Sequence, residues 1–318
     1  MVLGVVVSMM PLTKGFRPST NKHNIRKEVL ADWMEACALF AEDSRVSGSE
    51  LVDFLIDEEI YEKQDFCWEA IDEGLNEIKR RSELSAPFSL HISERAIQRV
   101  VPSWSDVPVH SFLLTLTLAQ RYDNWTDVMP TDYLIQGELF EQVTKESLVS
   151  HFPDWVIYPT GWSKTHPTKL YQLVSDLAGR LGESCGVVED WTDSDAKEAG
   201  LDLLCYRPFP DGHVGVPLLM LQCASGDWRE PGKVKTPDLD VWTKIVVFAS
   251  RPKRAFATHF SFVRSDFKKV AAKVDGVLLD RYRLLGSNPE SEWTSVPLKQ
   301  KLTEWVGARV GKFSELCK

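Results

Sequence analysis

Two apolar runs with a turn between them constrain this chain more than any other feature. Leu201–Arg207 and Val216–Cys223 are short and rich in aliphatic residues, and Pro210-Asp211-Gly212 lies between them. Runs of this length bounded by turn residues predict paired strands, because Pro presets φ and Gly reaches the left-handed region that closes a turn. Strands this apolar need cover on both faces, and helices are the usual cover. The flanks supply them. Asp132–Ser150 carries Leu134, Leu139, Phe140, Val143 and Leu148 at helical spacing, and Lys169–Leu181 carries Leu170, Leu173, Val174, Leu177 and Leu181. Further on, the pattern predicts a helix over Asp238–Ile245, and Ile245–Ala249 fits either a strand or that helix's buried end. A strand over Phe256–Val263, a helix or helix pair over Asp266–Leu285 and an amphipathic helix over Leu298–Phe313 complete the series. This order predicts an α+β (mixed α/β) domain over residues 131–318, with a central sheet flanked by helices.

Residues 1–130 read as a mainly helical domain. Ile25, Val29, Leu30, Trp33, Met34, Cys37 and Phe40 share one face of a helix over Asn24–Glu42. Ser49 is the expected N-cap of a short second helix, and a third starts at Asp65. Pro87–Ile92 alternates like a strand, and Ser93 is expected to cap another short helix. Phe112–Leu118 is too apolar for a surface helix and must be buried. Core and packing account for this half, and its sequence displays no nucleophile–base pair or phosphate loop.

Several classes are excluded. No run approaches the roughly 20 apolar residues that span a bilayer, so no membrane partner is expected. Met1–Met10 is apolar but lacks a basic lead or a small-residue cleavage site, which argues against a signal peptide. The six cysteines form no CxxC pair, as neither a zinc site nor a disulfide framework would have it, and a reducing cytoplasm is the expected location. The net charge of −9 conceals a gradient: residues 1–130 hold 13 Lys/Arg against 21 Asp/Glu, while residues 201–285 hold 14 against 9. A locally positive region meets a phosphate backbone even on an acidic chain.

Three residues stand where oxygen ligands for a hard cation would be gathered. Glu141 lies in the helix that opens the second domain, Asp202 heads the first strand, and Gln222 ends the second. A metal-dependent nuclease needs such ligands on a rigid sheet, and the ends of paired strands lie about 5 Å apart. With Gly137…Phe140-Glu141, Gly200…Asp202 and Gln222, the chain resembles the PD-(D/E)xK (restriction-endonuclease-like) nuclease superfamily, in the branch that carries Gln in place of the second acid. It is also similar to bacterial proteins encoded near phage-defence genes, through Gln222-Cys223-Ala224-Ser225-Gly226-Asp227-Trp228 and Asp280-Arg281-Tyr282-Arg283. The resemblance spans roughly residues 131–285. It implies a Mg²⁺- or Mn²⁺-dependent DNA endonuclease, or the nuclease-like subunit of an anti-phage complex with further protein partners. Glu141 and Asp202 would hold metal, and Gln222 would complete the catalytic set.

The chain departs from the family at Ala224, where the lysine stands in the usual motif. Lys233, Lys235 and Lys244 follow, and Lys233, nearest the strand end, is the expected replacement that would stabilise the transition state. If no lysine reaches the site, the alternative is an inactive nuclease-fold module that binds DNA or serves as a protein scaffold. Arg251, Lys253, Arg254, Lys268, Lys269, Arg281 and Arg283 carry the positive excess and are the expected nucleic-acid contacts. The bland alternatives stay open: Asp202 as a buried hydrogen-bonded carboxylate, Glu141 as an exposed helix face, Asp280–Arg283 as a structural ion-pair cluster and Arg251–Arg254 as a solvated turn.

Overall fold

The computed structural model describes residues 9–17, 25–85, 89–160, 170–190, 200–226, 234 and 236–317. They divide into two compact units, one of Met1–Ile135, His259–Val263 and Arg281–Lys318, the other of Gln136–Thr258 and Arg264–Asp280. Residues 259–263 and 281–318 thus cluster with the N-terminal part.

The first unit begins with α1 (Lys27–Phe40), β1 (Arg45–Ser47), α2 (Gly48–Asp57) and α3 (Gln64–Ser82). The cap of α2 is Ser47 rather than Ser49. Its hydroxyl accepts from Glu50 N at 3.2 Å while the Glu50 carboxylate accepts from Ser47 N at 2.7 Å, so two orphan donors are met reciprocally. Ser93 caps no helix. It sits between β2 (Leu90–Ile92) and β3 (Ala96–Arg99), where both its amide and its hydroxyl donate to Ala96 O, closing a hairpin. With β1 these strands form an antiparallel sheet in the order β1-β3-β2. The apolar run falls in α4 (Pro108–Ala119), which is buried from Pro108 to Leu118 as expected. The short α5 (Trp125–Val128) follows.

The second unit opens with α6 (Tyr133–His151), whose residues from Gln136 belong to it. Next come β4 (Val156–Pro159), α7 (Leu170–Leu181), β5 (Ser184–Cys185), β6 (Leu203–Tyr206), β7 (Leu218–Ala224), α8 (Leu239–Ile245), β8 (Val246–Val247), β9 (Lys253–Thr258), α9 (Arg264–Val274) and β10 (Gly276–Leu279). Five strands make a sheet in the order β10-β9-β7-β6-β4. Its β4–β6 and β6–β7 pairs are antiparallel, and its β7–β9 and β9–β10 pairs are parallel. The predicted hairpin is present at its centre. Leu204, Tyr206 and Met220 join Leu173, Leu177, Trp242 and Ile245 in one core, so α7 and α8 cover this face.

Two sequence expectations change here. The strand drawn over Phe256–Val263 is β9, displaced to Lys253–Thr258 by its register with Leu219–Ala224. The helix pair over 266–285 is interrupted by a strand. Asp275 adopts φ 52 and ends α9, and Gly276 then lies so close to β9 that a Cβ there would stand 1.9 Å from Arg254 O. Only glycine permits that approach. The chain closes with α10 (Arg281–Leu285), α11 (Glu290–Trp293) and α12 (Val296–Val310) in the first unit. Among the described residues no helix is long and apolar enough to cross a membrane.

Candidate functional site

Asp202 is held where three strands meet. Its carbonyl accepts from Thr160 N at 2.7 Å, just past β4, and its amide donates to Leu221 O at 2.9 Å. Its carboxylate Oδ2 accepts from Cys223 N at 2.5 Å, across to β7. The side chain is 9% exposed, and this charge-assisted bond fixes one oxygen of a nearly buried carboxylate. Two residues earlier, Gly200 takes φ +73. A Cβ there would meet the Gln222 Oε1 atom at 3.5 Å, so the turn leading into Asp202 lies against the Gln222 amide.

Glu141 approaches the same strand end from α6. The start of that helix is fastened to the end of β7 by Gln136 Nε2, which donates to Ser225 O at 2.9 Å. One turn beyond Gln136 come buried Phe140 and half-buried Glu141, and a further turn on comes buried Thr144. The Cys223 thiol bonds Thr144, and its pKa is raised well above the usual thiol value by burial first, then by the charges of Asp202 and Glu141. Both carboxylates therefore act on one point of β7. Asp202 and Gln222 thus share one end of the β6–β7 hairpin, and the Glu141 charge is felt at the neighbouring Cys223.

The donor set is two carboxylates and an amide oxygen, the hard oxygen chemistry that suits Mg²⁺ or Mn²⁺. Among the described residues no three His, Cys, Asp or Glu side chains gather as metal ligands. Lys233 and Lys235 lie outside the described residues. Lys244 is exposed in the last turn of α8. Ala224 is 5% exposed and pairs with Thr258 of β9, so the strand position two after Gln222 offers no cation.

The basic residues do not form one patch around this point. Lys253 is in register with Leu219 and Arg254 with Met220, toward the start of β7, whereas Gln222 lies near its finish. At about 3.3 Å per residue, Lys253 stands some 10 Å back along the sheet. Arg251 pairs with Asp240 at 3.2 Å, Arg254 with Asp275 at 3.7 Å and Lys269 with Asp266 at 3.1 Å. Lys268 is exposed on α9, and Arg283 is exposed on α10.

Arg281 belongs to another arrangement, in the first unit. Its guanidinium is fully buried and donates to Asp32 Oδ1 at 2.7 Å and Glu35 Oε1 at 3.2 Å. A guanidinium so enclosed does not meet a phosphate, and the ion-pair reading of this segment applies to it. Arg81 donates to the same two carboxylates at 2.9 Å each, Arg121 pairs with Asp32, and the Tyr282 hydroxyl reaches both oxygens of Glu35 at 2.8 Å. His110 Nε2 lies 2.6 Å from Glu35 Oε1, and its Nδ1 is in contact with the Ser89 hydroxyl. Sequence reasoning missed this buried set of contacts, because Glu35, Ser89 and His110 lie far apart along the chain and share no motif.

Comparison of the chain with protein-family models, with curated proteins and with solved structures finds no match.

Proposed function

We propose that the second unit is a restriction-endonuclease-like module in which Glu141, Asp202 and Gln222 bind a divalent cation for phosphodiester cleavage in DNA, as the nuclease subunit of a bacterial anti-phage system. The observation that carries this reading is the placement of Asp202 and Gln222 together at the end of β7. Asp202 heads β6 and bonds Cys223 N, Gln222 lies against the turn before Asp202, and Glu141 acts on the Cys223 thiol from α6. The sheet supports it: β4, β6 and β7 are antiparallel neighbours, α8 follows β7, and β9 lies parallel to β7, with α7 standing between β4 and β6 in the chain. A bound cation would neutralise charge on the phosphoryl group and supply an ionised water near neutral pH. This chain's part is to fix the ligands: Cys223 N orients Asp202, and the α6–β7 fastening through Gln136 orients Glu141.

The test is cleavage of linear and circular duplex DNA by the full chain with Mg²⁺ or Mn²⁺, beside Asp202→Asn and Glu141→Gln. Cutting by the parent and loss in both variants supports the proposal; equal cutting by all three defeats it. Ala224 favours a second reading, a module that binds DNA or a protein without cutting. Cation binding by the parent in calorimetry, with no cleavage, selects that one.

A further inference from the structure

We propose that Ser89, His110 and Glu35 form a second, independent site in the first unit, a nucleophile–base–acid set that hydrolyses short-chain carboxylic esters. The roles follow from hydrogen-bond chemistry. Burial works to raise the Glu35 carboxyl, but Arg281, the His110 bond and Arg81 outweigh it and hold the group far below the usual carboxylate range. An ionised carboxylate only accepts. The 2.6 Å contact therefore places the ring proton on His110 Nε2, and in the neutral ring Nδ1 is left as an acceptor for the Ser89 hydroxyl. Serine donating to a histidine that is oriented by a carboxylate is the geometry of an activated hydroxyl.

Ser89 borders a cavity of about 170 Å³, together with Val100, Val101, Val107, Leu285 and Glu290. This volume suits a small acyl group, being below the range of drug-sized pockets. Ser85 borders the same cavity, and its hydroxyl is buried with no hydrogen-bond partner among the described residues. A buried polar atom left so is costly unless something binds it. Glu290 adds a third observation. Its carboxylate accepts from Val109 N at 3.0 Å and His110 N at 3.1 Å in the first turn of α4. Glu290 thus fastens the first turn of α4, and with it the His110 backbone, at the cavity wall. Asp106 also lines the wall, which disfavours anionic esters relative to uncharged ones.

In the reaction, Ser89 Oγ bonds to the carbonyl carbon and passes its proton to His110 Nδ1. The carbon–oxygen bond to the alcohol breaks, and the alcohol leaves with that proton. Water then attacks the acyl-serine, gives a proton to His110 and releases the acid as Ser89 regains its hydrogen; ester and water become acid and alcohol. Ser89 and His110 are the catalytic residues, and Glu35 positions His110.

The experiment treats the folded full chain with a fluorophosphonate probe and with p-nitrophenyl acetate, then maps the modified peptide by mass spectrometry. The expected result is labelling at Ser89 and ester hydrolysis above the buffer rate, both lost at least 20-fold in Ser89→Ala with unchanged circular dichroism. Labelling elsewhere, or none in the folded parent, overturns the proposal. Ser89→Cys gives a second reading that needs no turnover: the introduced thiol, followed by peptide mapping, should be alkylated by iodoacetamide at pH 6, well below the ordinary thiol range near 8.5. Adding Glu35→Gln should move that pH midpoint upward, which a merely structural carboxylate would not do. An introduced thiol that reacts no faster than free cysteine at pH 6 refutes the set even where Glu35→Gln fails to fold.

Discussion

Asp32→Asn isolates the buried charge cluster with almost no change of shape. The cluster sets three guanidinium groups, Arg81, Arg121 and Arg281, against the carboxylates of Asp32, Glu35 and Glu77. Asp32 accepts from all three arginines and is wholly buried. The amide keeps one acceptor oxygen but turns an NH₂ toward a guanidinium and leaves one positive charge unbalanced. Breaking a buried pair from one side costs about 3–5 kcal/mol, because the remaining charge stays desolvated. For a domain of 150–250 residues each kcal/mol moves Tm by about 2–4 °C, so the expected fall is about 6–20 °C. The pH dependence supplies a second check. Burial works to raise the Asp32 carboxyl, yet Arg281, Arg81 and Arg121 together hold it below its usual value. Its stabilisation is therefore present above the unfolded pKa, near 3.9, and is lost as pH falls through the lower folded value. Melting followed by circular dichroism from pH 7 to pH 2 should show the parent losing stability below about pH 4 and the variant losing less. A Tm within about 2 °C of the parent at pH 7, far inside the expected range, would refute the reasoning.

Gly276→Ala drives a methyl group into Arg254 O, 1.9 Å away. Because that neighbour is backbone, β10 must part from β9, and hydrogen exchange of the β9 amides should rise by at least tenfold. Ser47→Ala removes the hydroxyl half of the α2 capping box and should cost about 1 kcal/mol in urea unfolding. Glu290 is pushed up to about 7, by burial above all. A carboxyl whose folded pKa exceeds its unfolded one destabilises once both forms ionise, so parent stability should fall between about pH 4.3 and pH 7, and Glu290→Gln should flatten that fall in pH-dependent melts. Arg251 and Arg254 already face Asp240 and Asp275, so reversing both to Glu should change the salt slope of duplex-DNA binding by less than one unit, about one phosphate contact; a flattening of two would make them DNA contacts.

What the sequence revealed and what it hid have separate physical causes. The hairpin was legible because aliphatic strands and a Pro-Asp-Gly turn are local signals, and its register brings Asp202 and Gln222 to one end without further information. β4 was missed because it is four residues long, partly exposed and ends in Pro159, which suits an edge strand and leaves no alternation to detect. β10 was absorbed into a helix because Val277-Leu278-Leu279 is as apolar as a helix core. What separates it is the left-handed turn at Asp275 and the close approach at Gly276, which appear only once β9 is in place.

The charged positions mislead for a different reason. Lys and Arg counts over residues 201–285 describe an average, whereas a field at a phosphate depends on which cations face it. In this fold the count is divided: Arg281 is buried against Asp32 and Glu35, Arg251 and Arg254 face carboxylates, and Lys253 sits some three residues back along the sheet from Gln222. The same long-range logic conceals the Ser89–His110–Glu35 set. Its members come from α1, the segment before β2 and the first turn of α4, separated by 75 and 21 positions. No spacing rule links them; what does is the packing of α1, α3, α4 and α10 around one fully buried charge cluster. The chain thus carries two polar constellations of opposite legibility. One is written in adjacent strands and partly exposed; the other is assembled across the first unit and borders a cavity at Ser89.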